Sequence, residues 1–133
     1  TSMFAGCTAL TKAPKLAPAE TVAKNCYRLM FDGCKELTDG PELKATTLAE
    51  SCYEYMFNGC SKLASVSMLV SSTAIESTKK CVTGWLQNAG TSATSRKLKL
   101  LDKNAYDATK AQLPTEWQIG NCTVLDNAGN EIK

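Results

Sequence analysis

Two textures of apolar and polar positions alternate along the first 90 residues. One is brief, extended and interrupted by proline. It runs Leu10, Ala13-Pro14, Leu16, then Leu37, Gly40-Pro41, Leu43, then Leu63, Val66, Leu69. Proline cannot continue a helix and is kept to strand margins and bulges, so these stretches predict short strands. The other texture places Val22, Ala23, Cys26, Met30 and Phe31 at helical spacing, with Thr21 as a cap and Gly33 as a stop. Residues 47–57 repeat it from Thr47 to Phe57 and close at Gly59. The spacing predicts a helix or helical turn over 21–31 and 47–57.

The two textures form one repeating unit. Met3-Phe4-Ala5-Gly6-Cys7, Met30-Phe31-Asp32-Gly33-Cys34 and Met56-Phe57-Asn58-Gly59-Cys60 recur at intervals of 27 and 26 residues. Ala19-Glu20-Thr21-Val22-Ala23 matches Ala45-Thr46-Thr47-Leu48-Ala49, and Cys81 to Leu86 is a degenerate fourth copy of Cys52 to Phe57. A single unit cannot bury its apolar side, so units are expected to stack, strands on one face and helices on the other. Stacking in register sets Lys12 beside Asp39, Lys15 beside Glu42, Lys24 beside Glu50, Arg28 beside Glu54 and Glu36 beside Lys62. All five pairs are opposite in sign, the arrangement that adjacent strands favour.

Beyond Gly90 the repeat fades. Residues 91–95 read as a loop, Lys97–Leu101 as a strand, Asn104–Leu113 as a helix, Trp117–Leu125 as a strand, and 131–132 as a short return after a turn. The expected organisation is one domain, with the repeats in 1–90 and a capping segment in 91–133. The expected fold class is α/β: a stack of parallel strands and short helices with an atypical C-terminal cap.

Composition removes several function classes. The chain has no histidine, which excludes Ser-His-Asp and Cys-His catalysis and histidine metal sites. No glycine-rich phosphate loop occurs. A net charge of +2 argues for neither nucleic acid nor a membrane surface, and no apolar run is long enough to span a bilayer. The seven cysteines contain no CxxC pair and follow the repeat instead: Cys7, Cys34 and Cys60 in one column, Cys26, Cys52 and Cys81 in another. Their spacing suits buried packing better than zinc, and no cofactor or metal is expected. If the chain is secreted, a disulfide through Cys81 or Cys122 stays open. The Met-Phe columns read as core.

The pattern Cys-Tyr-x-x-Met-Phe-x-Gly-Cys-x-x-Leu-x-x-(Ala/Gly)-Pro-x-Leu resembles the BspA-like leucine-rich-repeat surface proteins of bacteria. The likeness covers residues 3–69 well and 81–89 poorly. It implies a right-handed strand–helix solenoid, an extracellular or cell-surface address, and adhesion or protein binding without catalysis.

Solenoids commonly bind through the concave strand face. Alternation along the strands places Lys12, Pro14 and Lys15, then Asp39, Pro41 and Glu42, then Ser65, Ser67 and Met68 outward. The expected partner-binding residues are therefore Lys12, Lys15, Asp39, Glu42, Ser65, Ser67 and Met68, with Met68 as an apolar contact spot among serines. The expected ligand is a protein or a glycan. A second reading makes the chain a structural spacer, or the C-terminal cap of a longer repeat protein that recognises its ligand elsewhere. Thr1 falls inside a motif copy and no signal-peptide pattern precedes it. The chain thus reads as a fragment or a processed chain, and the expectation is either a longer native protein or self-association at the N-terminal edge.

Overall fold

The computed structural model describes residues 4–14 and 27–133, with the backbone alone at Lys79. Lys15, Lys24 and the first part, 21–26, of the helix expected over 21–31 lie outside the described residues.

The chain is α/β. Its described strands form one parallel sheet in chain order: β1 (Asp39–Lys44), β2 (Ser65–Leu69), β3 (Lys97–Leu100) and β4 (Thr123–Leu125). Among the described residues two short α-helices accompany it, α1 (Ser72–Ser77) and α2 (Lys103–Thr109). Ser71 caps α1 by accepting from the Ala74 N–H, and Asp102 caps α2 by accepting from the Ala105 N–H. Lys12 adds a single parallel bridge to Asp39 at the open side of β1. Residues 91–133 supply β3, α2 and β4, so the segment beyond the repeats continues the same sheet. Trp117 falls in a 3-10 turn (Thr115–Trp117), and the strand expected over 117–125 shortens to β4. The return at 131–132 bonds back onto β4: the Ile132 N–H donates to the Val124 carbonyl at 2.7 Å.

Residues 47–57 are not a helix. Residues 50–59 form consecutive turns in which backbone N–H groups alternate between two destinations. Those of Tyr53, Tyr55, Phe57 and Gly59 reach the carbonyls of Cys81, Thr83, Trp85 and Gln87 in the next unit. Those of Glu54, Met56, Asn58 and Cys60 close turns onto Ser51, Tyr53, Tyr55 and Phe57 within the unit. Every N–H from Cys52 to Cys60 is thereby satisfied without a helix. Residues 27–34 do the same, with Tyr27, Leu29, Phe31 and Gly33 donating to Cys52, Glu54, Met56 and Asn58. Ser51, Tyr55 and Gly59 all have positive φ, so the backbone pattern recurs every fourth residue. A period of four places apolar pairs at 52/53 and 56/57, which imitates the 3.6-residue helical period.

The core lies between this turn ladder and the sheet. Phe4, Phe31 and Phe57 stack in a column with centroids 5.4 and 5.6 Å apart, and the Trp85 ring closes it at a tilt, 6.4 Å from Phe57. Leu37, Leu43, Leu63, Val66, Leu98, Leu100 and Val124 fill in from the strand side. Burying each such side chain contributes about 1.5–3 kcal/mol relative to leaving it exposed.

One register shift corrects the sequence reading. Asp39 faces Ser65, yet Glu42 faces Ser67, because Gly40 and Pro41 together oppose Val66 in a bulge. The backbone is closely approached there: a Cβ at residue 40 would meet Val66 Cγ2 at 3.1 Å and the Ser65 carbonyl at 3.3 Å, so a larger residue needs those neighbours to give by a few tenths of an ångström. Past the bulge, Leu43 pairs with Met68 rather than Leu69. Met68 therefore points into the core at 0% exposure, and Pro41 is buried as well. Leu69, expected inward, is turned to the outer face and half-buried.

Candidate functional site

The outer face of the sheet carries the residues from which a site could be built. Strand register arranges them in two ranks. The first reads Lys12, Asp39, Ser65, Lys97, Thr123, and the second Glu42, Ser67, Lys99, Leu125. Small serines on β2 separate acidic β1 from basic β3.

Of the residues expected to bind a partner, Lys12, Asp39, Glu42, Ser65 and Ser67 share this face. Met68 does not. It is buried and cannot touch a partner, because regular alternation along β2 puts Val66 and Met68 on the inner face and Ser65 and Ser67 on the outer one. Lys15 lies outside the described residues. Asp39 accepts a hydrogen bond from the Ser65 hydroxyl at 2.9 Å, and Glu42 pairs with Lys44 at 2.7 Å. The carboxylates of β1 are thus both engaged. Of the expected cross-unit charge pairs, Arg28–Glu54 forms at 3.1 Å and Lys62–Glu36 at 2.8 Å. Lys12 and Asp39 meet through the backbone bridge, while the pairs involving Lys15 and Lys24 lie outside the described residues.

The sequence reading did not bring Lys97 and Lys99 beside Ser65 and Ser67. Its signal was the alternation in Lys97-Leu98-Lys99-Leu100, correctly read as a strand. The adjacency depends on a 32-residue offset between β2 and β3, which α1 and the 3-10 turn Lys79–Val82 lengthen beyond the repeat. Arg96, next in line, is diverted from the face. Its guanidinium donates to the carbonyls of Glu116, Gly90, Ala93 and Asn121 at 2.8–3.2 Å, fastening the C-terminal segment to the last repeat.

Cys34, Cys52, Cys60 and Cys81 are buried in the core, and Cys7 and Cys122 are partly buried against it; the hydrogen bond with Cys81 holds the Cys52 thiol below its ordinary value. Cys34 Sγ donates to the Phe4 carbonyl and Cys60 Sγ to the Phe31 carbonyl, each reaching one unit back. Burial pushes the Cys34 thiol up and the Cys60 thiol up to about 12, which keeps both protonated and weakly nucleophilic. Burial likewise pushes Cys122 up to about 11, and Cys81 is raised by its hydrogen bond to Cys52 and by burial. No group of three or more ligating side chains among the described residues could hold a metal ion.

A recess borders the C-terminal turn between Leu101, Asp102, Asp126, Asn127, Glu131 and Ile132. Two of its three carboxylates have structural duties: Asp102 caps α2, and Asp126 Oδ1 accepts from the Ala128 and Asn130 N–H groups. No described helix is long and apolar enough to cross a membrane. In comparison with known proteins, the chain matches no family model, no curated protein and no solved structure.

Proposed function

We propose that this chain is a non-enzymatic interaction module of the leucine-rich-repeat solenoid type, similar to BspA-like surface proteins, that holds a protein or glycan partner on its concave strand face. The supporting observation is the contrast between the two sides of the sheet. One side is filled by the apolar column, whereas the other is a polar tract in which serines lie between strands of opposite charge. An address outside the cell, on the cell surface or secreted, belongs to the same reading and rests on the motif likeness.

A second reading has its own observation. The antiparallel return at 131–132 covers the free edge of β4, as a terminator of a longer stack would. In that reading the chain is a spacer or C-terminal cap, and other units carry recognition.

The test is a binding screen of the immobilised chain against extracellular-matrix proteins and glycans, beside a Glu42→Lys, Ser67→Arg double variant. Both substitutions fall on the outer face and leave the core intact. A ligand captured by the wild type and lost in the variant supports binding on the strand face. Capture that survives the variant moves the site off that face. A screen with no ligand at all favours the spacer reading.

A further inference from the structure

We propose that Lys97 and Lys99, with Ser65 and Ser67 beside them, form a docking track for an extended acidic peptide segment of a protein partner. This inference rests on the strand-face reading above and names the chemistry of the partner.

Four observations carry it. First, Lys97 and Lys99 stand two residues apart on β3, both on the outer face, about 6.5–7 Å apart along the strand. An extended peptide presents alternate side chains at the same interval, so two acidic residues at i and i+2 match both ammonium groups at once. Second, these charges are available. Neither lysine has an ion-pair partner among the described residues, unlike Lys44, Lys62 and Lys103. Third, hydroxyls adjoin them. Ser65 faces Lys97 and Ser67 faces Lys99, and the Ser67 hydroxyl makes no hydrogen bond to a described residue. The Ser65 hydroxyl already donates its proton to Asp39, so Ser67 supplies the further donor to a carboxylate, while either oxygen can accept from a peptide N–H. Fourth, the track is bordered by Leu69 and Leu125, half-buried leucines that lie outside the core cluster.

The same features favour a peptide over a sulfated glycan. Two cations are few for a polyanion, and a polyanion lying across the strands would meet Asp39 and Glu42 on β1. Peptide side chains of mixed character suit lysine, serine and leucine together.

The probe is a dye-labelled, end-blocked octapeptide of alternating Glu and Thr, with a Lys-for-Glu counterpart and heparin as comparators. Binding to the full chain is read by fluorescence anisotropy at low and physiological salt. The acidic peptide is expected to bind, more weakly as salt screens the charges. Lys97→Glu with Lys99→Glu is expected to weaken it by about tenfold or more, while Lys110→Glu on the C-terminal segment leaves it unchanged. The proposal is overturned if the acidic peptide fails to bind, if the basic peptide binds equally, if the double variant binds as the wild type does, or if heparin alone binds.

The matrix-protein screen separates this inference from the reading beneath it. A ligand lost on Ser67→Arg but kept on the double lysine variant sinks the acidic-peptide track and leaves strand-face binding standing. A ligand kept on both removes the two together.

Discussion

At the scale of single residues, the fold depends on a few positions where no other side chain fits. Gly90 has φ +67, and a Cβ there would come within 2.8 Å of the Leu63 carbonyl and 2.9 Å of Trp117 Cζ2. Neither a carbonyl in a packed unit nor a buried indole can retreat cheaply. Gly90→Ala is expected to cost about 2–4 kcal/mol by strain and overpacking. Gly129→Ala, also at positive φ but with open space around it, should cost about 1 kcal/mol; paired urea denaturation curves measure both. Glu54 offers a test by pH. The Ser51 hydroxyl, 2.6 Å away, holds its carboxyl below the usual carboxylate range, and Arg28 adds to the effect. A depressed folded value means the contribution is present above the ordinary carboxylate value and is lost as pH falls through the folded value. Ser51→Ala should therefore raise the Glu54 titration midpoint seen by NMR and reduce the stability lost between neutral and acid pH. Trp85 is the exception to good pairing. Its indole N–H is the buried side-chain polar atom without a partner among the described residues, where the other units carry methionine.

At the scale of elements, the C-terminal segment hangs on Arg96. Four carbonyls from three separate stretches converge on one planar guanidinium, a geometry that an ammonium on a flexible stem cannot reproduce. Arg96→Lys should destabilise by about 2–4 kcal/mol, close to the effect of Arg96→Met. Hydrogen exchange should quicken first over 115–123 if the clamp acts locally. Strands were legible in the sequence because proline, alternation and the repeat agreed on where the chain extends. The turn ladder was not. Apolar positions at Cys52, Tyr53, Met56 and Phe57 fit a helix, and only the left-handed residues Ser51 and Tyr55 break it, which neither serine nor tyrosine announces. Facing parity failed for a related reason. Aligning Leu43 with Leu69 follows the text of the repeat, but the bulge at Gly40-Pro41 consumes one residue and hands that place to Met68. Glycine before proline was the available signal for a bulge. Lys97 beside Ser65 was beyond reach, since the repeat length does not set that offset.

At the scale of the molecule, several kinds of contact link neighbouring units. Strand ladders, the turn ladder, the stacked rings and the side-chain pairs Asn58–Asp32 and Asn88–Asn58 each join one unit to the next. β1 to β4 are mutually parallel, so no two of these strands can detach together as a hairpin. Stability should therefore fall off toward the outermost units rather than uniformly, as in other assemblies where each unit touches only its neighbours. This arrangement has a mechanical consequence. Tension applied between the two chain ends peels hydrogen bonds one tier at a time instead of shearing many together. The protein should yield at low force and in steps. Each tier of the 26-residue spacing seen between Met30 and Met56 would release about 90 Å of chain. Under pull it would behave as an extensible tether that gives way gradually and re-forms from the tiers still standing.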